Sequence, residues 1–317
     1  MGIEIRSFAI GQADCFLIKI EKGGRKFNLL VDCGKVGLYE EIMVELGDDA
    51  LDGVVVTHID NDHIIGIIDL LRESKQEMFS TETFFIYNKY DESLISYENG
   101  RVLLEVIKEK IGQKLLIKSY ARNYHKENSV IKRRRKEAKL PVQILSKKQR
   151  MLKDRKSLEK NVVYLTMLSP EMETLKKFMR NWKGKKENAS ITNKSSIAFL
   201  LEFNDKSILM LGDSYVSEAC KDLDKLRGLE HIDFVKISHH GAAQNNKGLP
   251  EIVKKYSCKV AVVTMRKEQD SKLTHPDRNL IGMLNMEGCQ VYTSTKYKSE
   301  NVSDMVNRIK IQGKWIF

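Results

Sequence analysis

The segment Thr57-His58-Ile59-Asp60-Asn61-Asp62-His63 places four side chains that can bind a metal ion directly after an apolar run. The run, DGVVV, predicts a buried strand, and HIIGIIDLLRE predicts a helix behind it. Because alternate residues of an extended chain point the same way, His58 and Asp60 could chelate one ion. Asp62 and His63 lie where the helix begins, so the turning backbone aims them elsewhere. The loop could serve two adjacent ions; the alternative is a polar turn in which His58 and Asp62 cap the helix.

The distribution of histidine strengthens the metal interpretation. His239 and His240 lie in SHHGA and His275 in LTHPD, so five of the seven histidines directly follow predicted strands. Asp213, in LMLGD, occupies the same kind of position. In α/β folds such strand ends carry the binding groups. For Asp213, the alternative is a cap on the following helix.

The elements that must position these residues are short strands and helices. Strands are predicted at IEIRSFAI, CFLIKI and KFNLLVD, and again from NVVYLTMLSP onward, with hairpin connections at GQAD and EKGG. Helices are predicted for LYEEIMVEL, EMETLKKFMRNW, SYVSEACKDLDKL, LPEIVKKY and PDRNLIGMLNM. The mixture predicts an α/β fold with two sheets flanked by helices.

A strongly basic segment interrupts this pattern. Residues 101–160 contain 20 Lys and Arg and six Asp and Glu, a local net charge of +14, whereas the whole chain of 317 residues carries +11. Leu, Ile and Val recur there at helical intervals, which predicts a helical insertion over 90–160 between two halves, 1–89 and 161–317. Such a segment would attract nucleic acid; the alternative is a solvated helical face.

Composition excludes several classes of protein. No apolar run reaches the ~18 residues that a membrane helix needs, and no secretory signal is visible, so no membrane association is expected. The five cysteines form no CxxC pair, which argues against a disulfide framework or a thiolate zinc site. A cytoplasmic location is therefore expected.

The ordered motifs IGQAD, LLVDCG, THIDNDH, LMLGD, SHHGA and THP resemble those of the metallo-β-lactamase superfamily, in particular the soluble hydrolase domain of the ComEC family of competence proteins. The resemblance covers 1–72 and 161–317 and leaves out the basic segment. It implies an αββα four-layer sandwich into which the basic helical segment is inserted.

The resemblance also implies roles for individual residues. Its implied metal ligands are His58, Asp60, Asp62, His63, Asp213, His239 and His240. Asp213 would bridge two ions, and one or both of the two adjacent histidines would complete the second site. Catalytic roles are implied for Asp62, Asp213 and His275, of which His275 would contact substrate at the mouth of the site.

Other residues match the resemblance less completely. Asp14 and Asp32 match acidic positions that orient the ligand loop, although a turn residue is the alternative for Asp14. A histidine that many relatives place before the GD strand is missing, because none lies between His125 and His231. The first ion would then be weakly held or would arrive with substrate. Poor substitutes stand near that place: Asn188, Asn193 and Ser195.

The ligand set predicts the chemistry. Asp60, where most relatives have histidine, favours Mn²⁺ or Mg²⁺, and Zn²⁺ is also compatible. One or two such ions would lower the pKa of bound water. The leading hypothesis is a metal-dependent nuclease or phosphodiesterase that cleaves nucleic-acid phosphodiesters with a metal-bound hydroxide and holds nucleic acid through 101–160. The alternatives are a small-molecule hydrolase, such as a lactonase or cyclic-nucleotide phosphodiesterase, and a binding protein without catalysis. Protein partners are left open.

Overall fold

A computed structural model describes most of the chain. The described residues are 2–8, 10–73, 78–88, 98–112, 118–119, 129–131, 139–183, 189–264, 275–293 and 306–311. The strands are β1 Gly2–Phe8, β2 Cys15–Lys22, β3 Arg25–Cys33, β4 Leu51–Val55, β5 Phe79–Ile86, β6 Lys118–Ser119, β7 Ser129–Ile131, β8 Val142–Ser146, β9 Val163–Ser169, β10 Ala198–Phe203, β11 Lys206–Met210, β12 Phe234–Lys236, β13 Val260–Val263, β14 Gln290–Thr293 and β15 Val306–Ile311. The helices are α1 Tyr39–Leu46, α2 Asn61–Glu73, α3 Glu98–Gly112, α4 Lys147–Met151, α5 Met172–Lys183, α6 Ala189–Lys194, α7 Val216–Ala219, α8 Leu249–Lys255 and α9 Arg278–Met286.

Two sheets form the centre of the fold. Within the described residues, the first sheet has the order β15-β1-β2-β3-β4-β5-β6 and the second the order β14-β13-β12-β11-β10-β9-β8-β7. In the first sheet, β1, β2 and β3 are antiparallel, and β3, β4 and β5 are parallel. In the second, β9, β10 and β11 are antiparallel, and β11 to β14 are parallel. Each sheet thus joins a hairpin region to a parallel region.

Alternating side chains divide the apolar residues among three cores. Phe16 and Ile18 of β2 face Phe199 and Leu201 of β10 in the core between the sheets. Leu17, between them in sequence, packs instead with α1 and α2 on the outer face of the first sheet. The outer face of the second sheet is covered by α7, α8 and α9 in the same way. Each fully buried side chain of this kind contributes about 1.5–3 kcal/mol. The layers are therefore helices, sheet, sheet and helices, as predicted.

The two ends of this sandwich carry different loops, and we call them the site end and the far end. The site end is where β3, β4, β11, β12 and β13 finish, and it carries the loops that follow them. The far end carries the hairpin turns Gly23–Gly24 and Asn204–Asp205. Gly23 and Gly24 have positive φ angles of 58° and 73°, which the tight turn between β2 and β3 requires.

The segment predicted as helical over 90–160 differs from that prediction in its second half. Glu98–Gly112 is helical and packs against α2. Val142–Ser146, in contrast, is a strand that runs parallel to β9, and its buried side chains join the core between the sheets and a small neighbouring cluster. The basic composition around PVQILS concealed a strand pattern. The predicted helix over SYVSEACKDLDKL is also shorter, since α7 ends at Ala219. The division at 89 and 160 stays a prediction.

No helix among the described residues is both long enough and apolar enough to cross a membrane.

Candidate metal centre

The ligand loop between β4 and α2 is fixed by the carboxylate of Asp32 at the end of β3. Thr57 donates to that carboxylate twice, from its backbone N–H to Oδ1 and from its hydroxyl to Oδ2, both at 2.7 Å. Asp32 has a positive φ of 55°, an uncommon conformation for a residue with a side chain. Gly34 allows the loop to approach, because a Cβ at this position would lie 1.7 Å from the backbone oxygen of Asp62. The β3 turn and the ligand loop therefore interlock.

His63 is oriented by the same carboxylate. Its Nδ1 lies 2.8 Å from Asp32 Oδ2 and donates a proton there, so Nε2 is the nitrogen that a metal ion would bind. Nε2 lies 3.4 Å from Asp213 Oδ1. The imidazole is completely buried. His63 thus presents one nitrogen to its support and the other to the centre of the cluster.

The two oxygens of Asp213 face different histidines. Oδ2 lies 3.9 Å from His58 Nε2 and 3.8 Å from His239 Nε2. Oδ1 faces His63. The preceding Gly212 has a φ of 51°, and a Cβ there would lie 2.4 Å from Ser196 Oγ, which accepts the backbone N–H of Asp213 at 3.0 Å. Asp213 is therefore held in the middle of the cluster with each oxygen directed to one side.

The loop after β12 carries two consecutive histidines in the left-handed region, His239 with φ 43° and His240 with φ 50°. Such a conformation costs a non-glycine residue free energy and is concentrated at functional sites. His240 Nδ1 lies 2.8 Å from the Thr264 hydroxyl, which in turn donates to Asp14 Oδ1 at 2.6 Å. His240 Nε2 faces Asp62 Oδ2 at 3.1 Å. Asp14 and Thr264 thus orient His240, as Asp32 orients His63.

Two residues flank His239 at the opening of the cluster. The side-chain amide of Asn193 lies 3.1 Å from His239 Nδ1 and fixes the ring on the side away from Asp213. The ring of His275 lies 5.5 Å from the ring of His239, centroid to centroid. Asn193, which stands near the place of the missing histidine, therefore contacts a ligand candidate and positions its ring.

A buried lysine compensates part of the negative charge. Lys236 of β12 is 1% exposed, donates to the Gly212 carbonyl at 2.8 Å and forms an ion pair with Asp14. Its Nζ also lies 3.6 Å from Asp213 Oδ1. Burial alone would lower the pKa of this lysine, but the carboxylates of Asp14 and Asp213 outweigh burial and raise it. Lys236 is therefore a permanent ammonium ion in the wall of the cluster.

The same electrostatics act on the ligand candidates. Burial would raise the pKa of Asp213, but the charges of His63 and Lys236 hold it well below its ordinary value. Burial would lower the pKa of His63, but the carboxylates of Asp213, Asp32 and Asp14 raise it well above its ordinary value. For Asp62, burial would raise the pKa, yet the hydrogen bond from His240 and the charge of His63 lower it. The carboxylates of Asp213 and Asp62 are therefore ionised.

Three buried ligand atoms at the centre make no hydrogen bond to any described residue: His58 Nε2, His63 Nε2 and Asp213 Oδ1. An unsatisfied buried polar atom is costly and calls for a partner. The candidate ligand atoms of His58, His63 and Asp213 all lie within 4.8 Å of one another, as do those of Asp62, His63 and His240. Imidazole and carboxylate groups at this spacing fit a divalent transition-metal ion.

The structure brings the predicted ligand residues together at the site end. His58 and Asp60, predicted to share an ion, have Nε2 and Oδ2 3.5 Å apart. Asp60 and Asp62 are the exposed members, each with 37% of its side chain accessible. His231 lies elsewhere, at the far end, where Nε2 donates to the Asp205 carbonyl. His125 lies outside the described residues.

Several positioning residues were missed by the sequence reasoning. Lys236 is one of them, although a lysine within the apolar run DFVKIS is a signal in the sequence. Thr264 follows VAVV as the other candidates follow their strands. Asn246 ties the histidine loop together by accepting from the Ser238 N–H and donating to the Ser238 and Ala242 carbonyls. In the sequence, only the pair of asparagines after SHHGA indicated that Asn246 is a positioning residue.

Comparisons with known proteins agree with this architecture. Residues 9–77 match the family model for the metallo-beta-lactamase superfamily. A mutant of the CmlA beta-hydroxylase has a similar fold, with a TM-score of 0.51 and 12% identity over 98% of this chain. The match covers 54% of the hydroxylase, so this chain spans about half its length. No curated protein matches the chain in sequence.

Two further solved structures are similar at lower scores. A metal-dependent hydrolase of the beta-lactamase superfamily has a TM-score of 0.47 and 13% identity, with 92% of this chain and 96% of that chain covered. Human tRNase Z, short form, has a TM-score of 0.42 and 13% identity, with 87% and 96% covered.

The chain has the metallo-β-lactamase fold, an αββα sandwich with a histidine and aspartate cluster at one end of its sheets. The family match is confined to residues 9–77, and the similarity to the hydroxylase supports the fold alone. Fold alone leaves the reaction open, since one protein of this fold is described as a beta-hydroxylase.

Proposed function

We propose that the protein is a metal-dependent hydrolase that holds two divalent ions and cleaves phosphodiester bonds of nucleic acid. The observation that carries the two-ion assignment is the position of Asp213, whose two oxygens face different histidines. On one side, the ligands would be His58, Asp60, His239 and Asp213. On the other side, they would be Asp62, His63, His240 and Asp213.

Charge balance supports two ions. The cluster and its supports contain five carboxylates, and Lys236 supplies one compensating ammonium. With the histidines neutral as ligands, two divalent ions would bring the formal charge of this group to zero. One ion would leave a net negative charge among largely buried groups, which is unfavourable. The residues in this cluster are Asp14, Asp32, Asp60, Asp62, Asp213 and Lys236.

The chemistry follows from the positions of the side chains. Divalent ions held there would lower the pKa of water toward neutrality and withdraw charge from a phosphoryl oxygen. Asp32 and Thr264 keep the Nε2 atoms of His63 and His240 directed at the centre. Asp62, a partly exposed carboxylate on the open side, is placed to accept a proton. His275 stands beside His239, where it would contact the phosphate or the leaving group.

Nucleic acid as the substrate is supported by the basic segment and by where that segment begins. Gly100, Leu103 and Leu104 of α3 line the same hollow as His58, so the exposed Arg101 starts the segment beside the cluster. The net charge of 101–160 would attract a phosphate backbone. The resemblance to ComEC-type hydrolase domains, which are associated with DNA uptake, agrees with this substrate. We also expect the protein to act in the cytoplasm, consistent with five buried free thiols.

One observation favours the alternative of a small-molecule hydrolase, such as a lactonase or cyclic-nucleotide phosphodiesterase. The backbone of Lys139 forms an isolated β-bridge with Lys26 at the far end, and Arg155, Lys156 and Lys160 also lie at that end. Much of the described basic surface is thus remote from the candidate metal centre. The nucleic-acid proposal depends on Arg101 and on basic residues outside the described part of the chain.

The decisive experiment incubates labelled single- and double-stranded DNA and RNA with protein loaded with Mn²⁺ or Zn²⁺. We expect cleavage by the wild type, with Mn²⁺ at least as effective as Zn²⁺, and none by Asp62→Ala. Asp69→Ala is the matched control and should stay active, because the Asp69 carboxylate of α2 accepts the backbone N–H of Gly37 and lies outside the cluster. Equal cleavage by wild type and Asp62→Ala would assign the hydrolysis to a contaminant.

A second comparison separates the two substrate classes. Replacing Arg133, Arg134 and Arg135 with Ala should weaken binding of long nucleic acids and flatten its salt dependence. Hydrolysis of a small chromogenic phosphodiester should hardly change. Unchanged nucleic-acid binding by the triple variant across a range of salt would favour the small-molecule hydrolase.

A further inference from the structure

A second cavity lies at the far end of the sandwich and has a volume of about 530 Å³. Its lining includes Lys22 beside the β2–β3 turn, Asp205 in the β10–β11 turn, and residues 155–160 between α4 and β9. Those turns lie at the opposite ends of the strands from Asp32 and Asp213, so this cavity is separate from the candidate metal centre. Its volume falls within the range of ~300–1,000 Å³ that is usual for small-molecule sites. We call it the far-end pocket.

The floor of the far-end pocket is a buried, saturated ion pair. Arg150 binds Glu202 with two parallel hydrogen bonds, from Nε at 2.7 Å and from Nη2 at 2.8 Å. Its third nitrogen donates to the carbonyls of Lys153 and Arg227. The charge of Glu202 is therefore already neutralised within the protein. Any further cation at the floor is in excess.

Arg155 is that further cation. Its side chain is 11% exposed, and its nearest charged contact is Glu202 at 3.9 Å, a carboxylate already occupied by Arg150. Its Nη2 is buried and makes no hydrogen bond to any residue in the described part of the chain. The backbone of Arg155 is fixed, since its N–H donates to the Arg227 carbonyl at 3.0 Å and Gly228 packs against its Cβ. Arg155 Nη2 is thus a preorganised donor for which none of the described residues provides an acceptor.

The rim of the far-end pocket carries charges of both signs. Lys22, Lys156 and Lys160 are exposed on it and add to the positive charge of Arg155. Glu159, Asp205 and Glu230 also line the pocket. A simple inorganic anion would meet these carboxylates as well as the cations. A ligand that combines an anionic group with several N–H and O–H donors would satisfy both sets.

We propose that the far-end pocket binds a nucleoside phosphate, whose phosphate accepts hydrogen bonds from Arg155 Nη2 and the rim lysines. The ribose hydroxyls and the base amino group donate to the rim carboxylates. Leu158 and Tyr164 provide the apolar wall against which the ligand lies. The site is independent of the proposed hydrolase activity, because none of its lining residues belongs to the metal cluster.

Isothermal titration of metal-free protein in excess chelator with adenosine 5′-monophosphate tests the proposal. Adenosine and inorganic phosphate serve as the partial ligands. We expect the nucleotide to bind more tightly than either, and Arg155→Gln to weaken it about tenfold, equivalent to about 1.4 kcal/mol. Arg155→Lys should recover part of the affinity. Lys148→Gln, which removes an exposed lysine of α4 outside the pocket, is the matched control and should bind like the wild type.

Several other outcomes would contradict nucleotide binding in the far-end pocket. Absence of nucleotide binding at millimolar concentration, or equal binding by Arg155→Gln and wild type, would overturn the proposal. If Arg155→Gln does not fold, Lys160→Gln and Lys22→Gln take its place, since both lysines are exposed and each should weaken binding. Loss of binding in Asp62→Ala would place the nucleotide at the metal cluster instead, whereas failure of the hydrolase proposal would leave this binding unchanged.

Discussion

Replacing Asp32 with asparagine removes a buried charge with little change in volume, and it acts on the ligand loop without replacing a candidate ligand. The carboxylate accepts from the Thr57 amide and hydroxyl at 2.7 Å and binds His63 Nδ1 at 2.8 Å. The asparagine keeps one acceptor oxygen, which can still serve the Thr57 amide. Its second group is an NH₂, which donates and cannot accept the Nδ1 proton.

The loss of that acceptor changes the state of His63. With a donor facing Nδ1, the ring favours the tautomer that carries its proton on Nε2, the atom 3.4 Å from Asp213 Oδ1. The nitrogen directed at the metal position then no longer offers a lone pair. Removing such an outer partner weakens metal binding by roughly 10–100-fold, or about 1.4–2.7 kcal/mol.

The assay is isothermal titration of metal-free Asp32→Asn with Mn²⁺ and with Zn²⁺, and circular dichroism verifies the fold. Asp52→Asn is the matched control, because Asp52 is also buried and accepts a backbone N–H, from Asn28 at 2.6 Å, but does not belong to the cluster. We expect a loss of stability in both variants and a loss of metal affinity in Asp32→Asn alone. Equal affinity in wild type and Asp32→Asn would refute the orienting role of Asp32.

Three further predictions concern stability. Lys236→Met should lower the free energy of unfolding of the metal-free protein by about 3–5 kcal/mol in urea titrations, because it leaves carboxylates buried and unpaired; an unchanged midpoint would contradict the buried ion pair. Gly34→Ala should lower the free energy of unfolding by about 3 kcal/mol or more and abolish metal binding. Gly23→Ala in the open hairpin turn should lower it by only about 1 kcal/mol. Similar thermal midpoints for the two variants would show that the contact with Asp62 is not tight. Divalent ions at 100 times their dissociation constant should stabilise the wild type by about 2.7 kcal/mol for each ion bound. Chelator should reverse this gain and Asp62→Ala should reduce it, whereas equal stabilisation of that variant would place the ions elsewhere.

The sequence predicted most elements because their apolar patterns are local. The alternation in CFLIKI and the helical spacing in HIIGIIDLLRE each identify one buried face, and the structure has a strand and a helix there. The ligand candidates were found because four metal-binding side chains in seven residues are conspicuous. PVQILS was misassigned because the surrounding lysines and arginines dominated a strand of only five residues.

The rest of the site depends on contacts between distant parts of the chain. Which Asp213 oxygen faces which histidine is set by packing of one sheet on the other, and no local pattern encodes it. The role of Thr264 depends on a hydrogen bond to Asp14 across 250 residues. Asn193 stands near the place of the missing histidine in the sequence, but its contact with His239 follows only from the fold.

The hydrogen bond between Thr264 and Asp14 has a consequence for biosynthesis. On the ribosome, 250 further residues must be made after Asp14 before its partner exists. At ~5–20 residues per second, this interval lasts on the order of 10–50 s. During this interval at least one of three partners of the THIDNDH loop has not yet been made: Asp213, the SHHGA loop or Thr264. The nascent chain therefore offers only an incomplete ligand set. The complete set of candidate ligands and supports therefore exists only after Thr264 has been made.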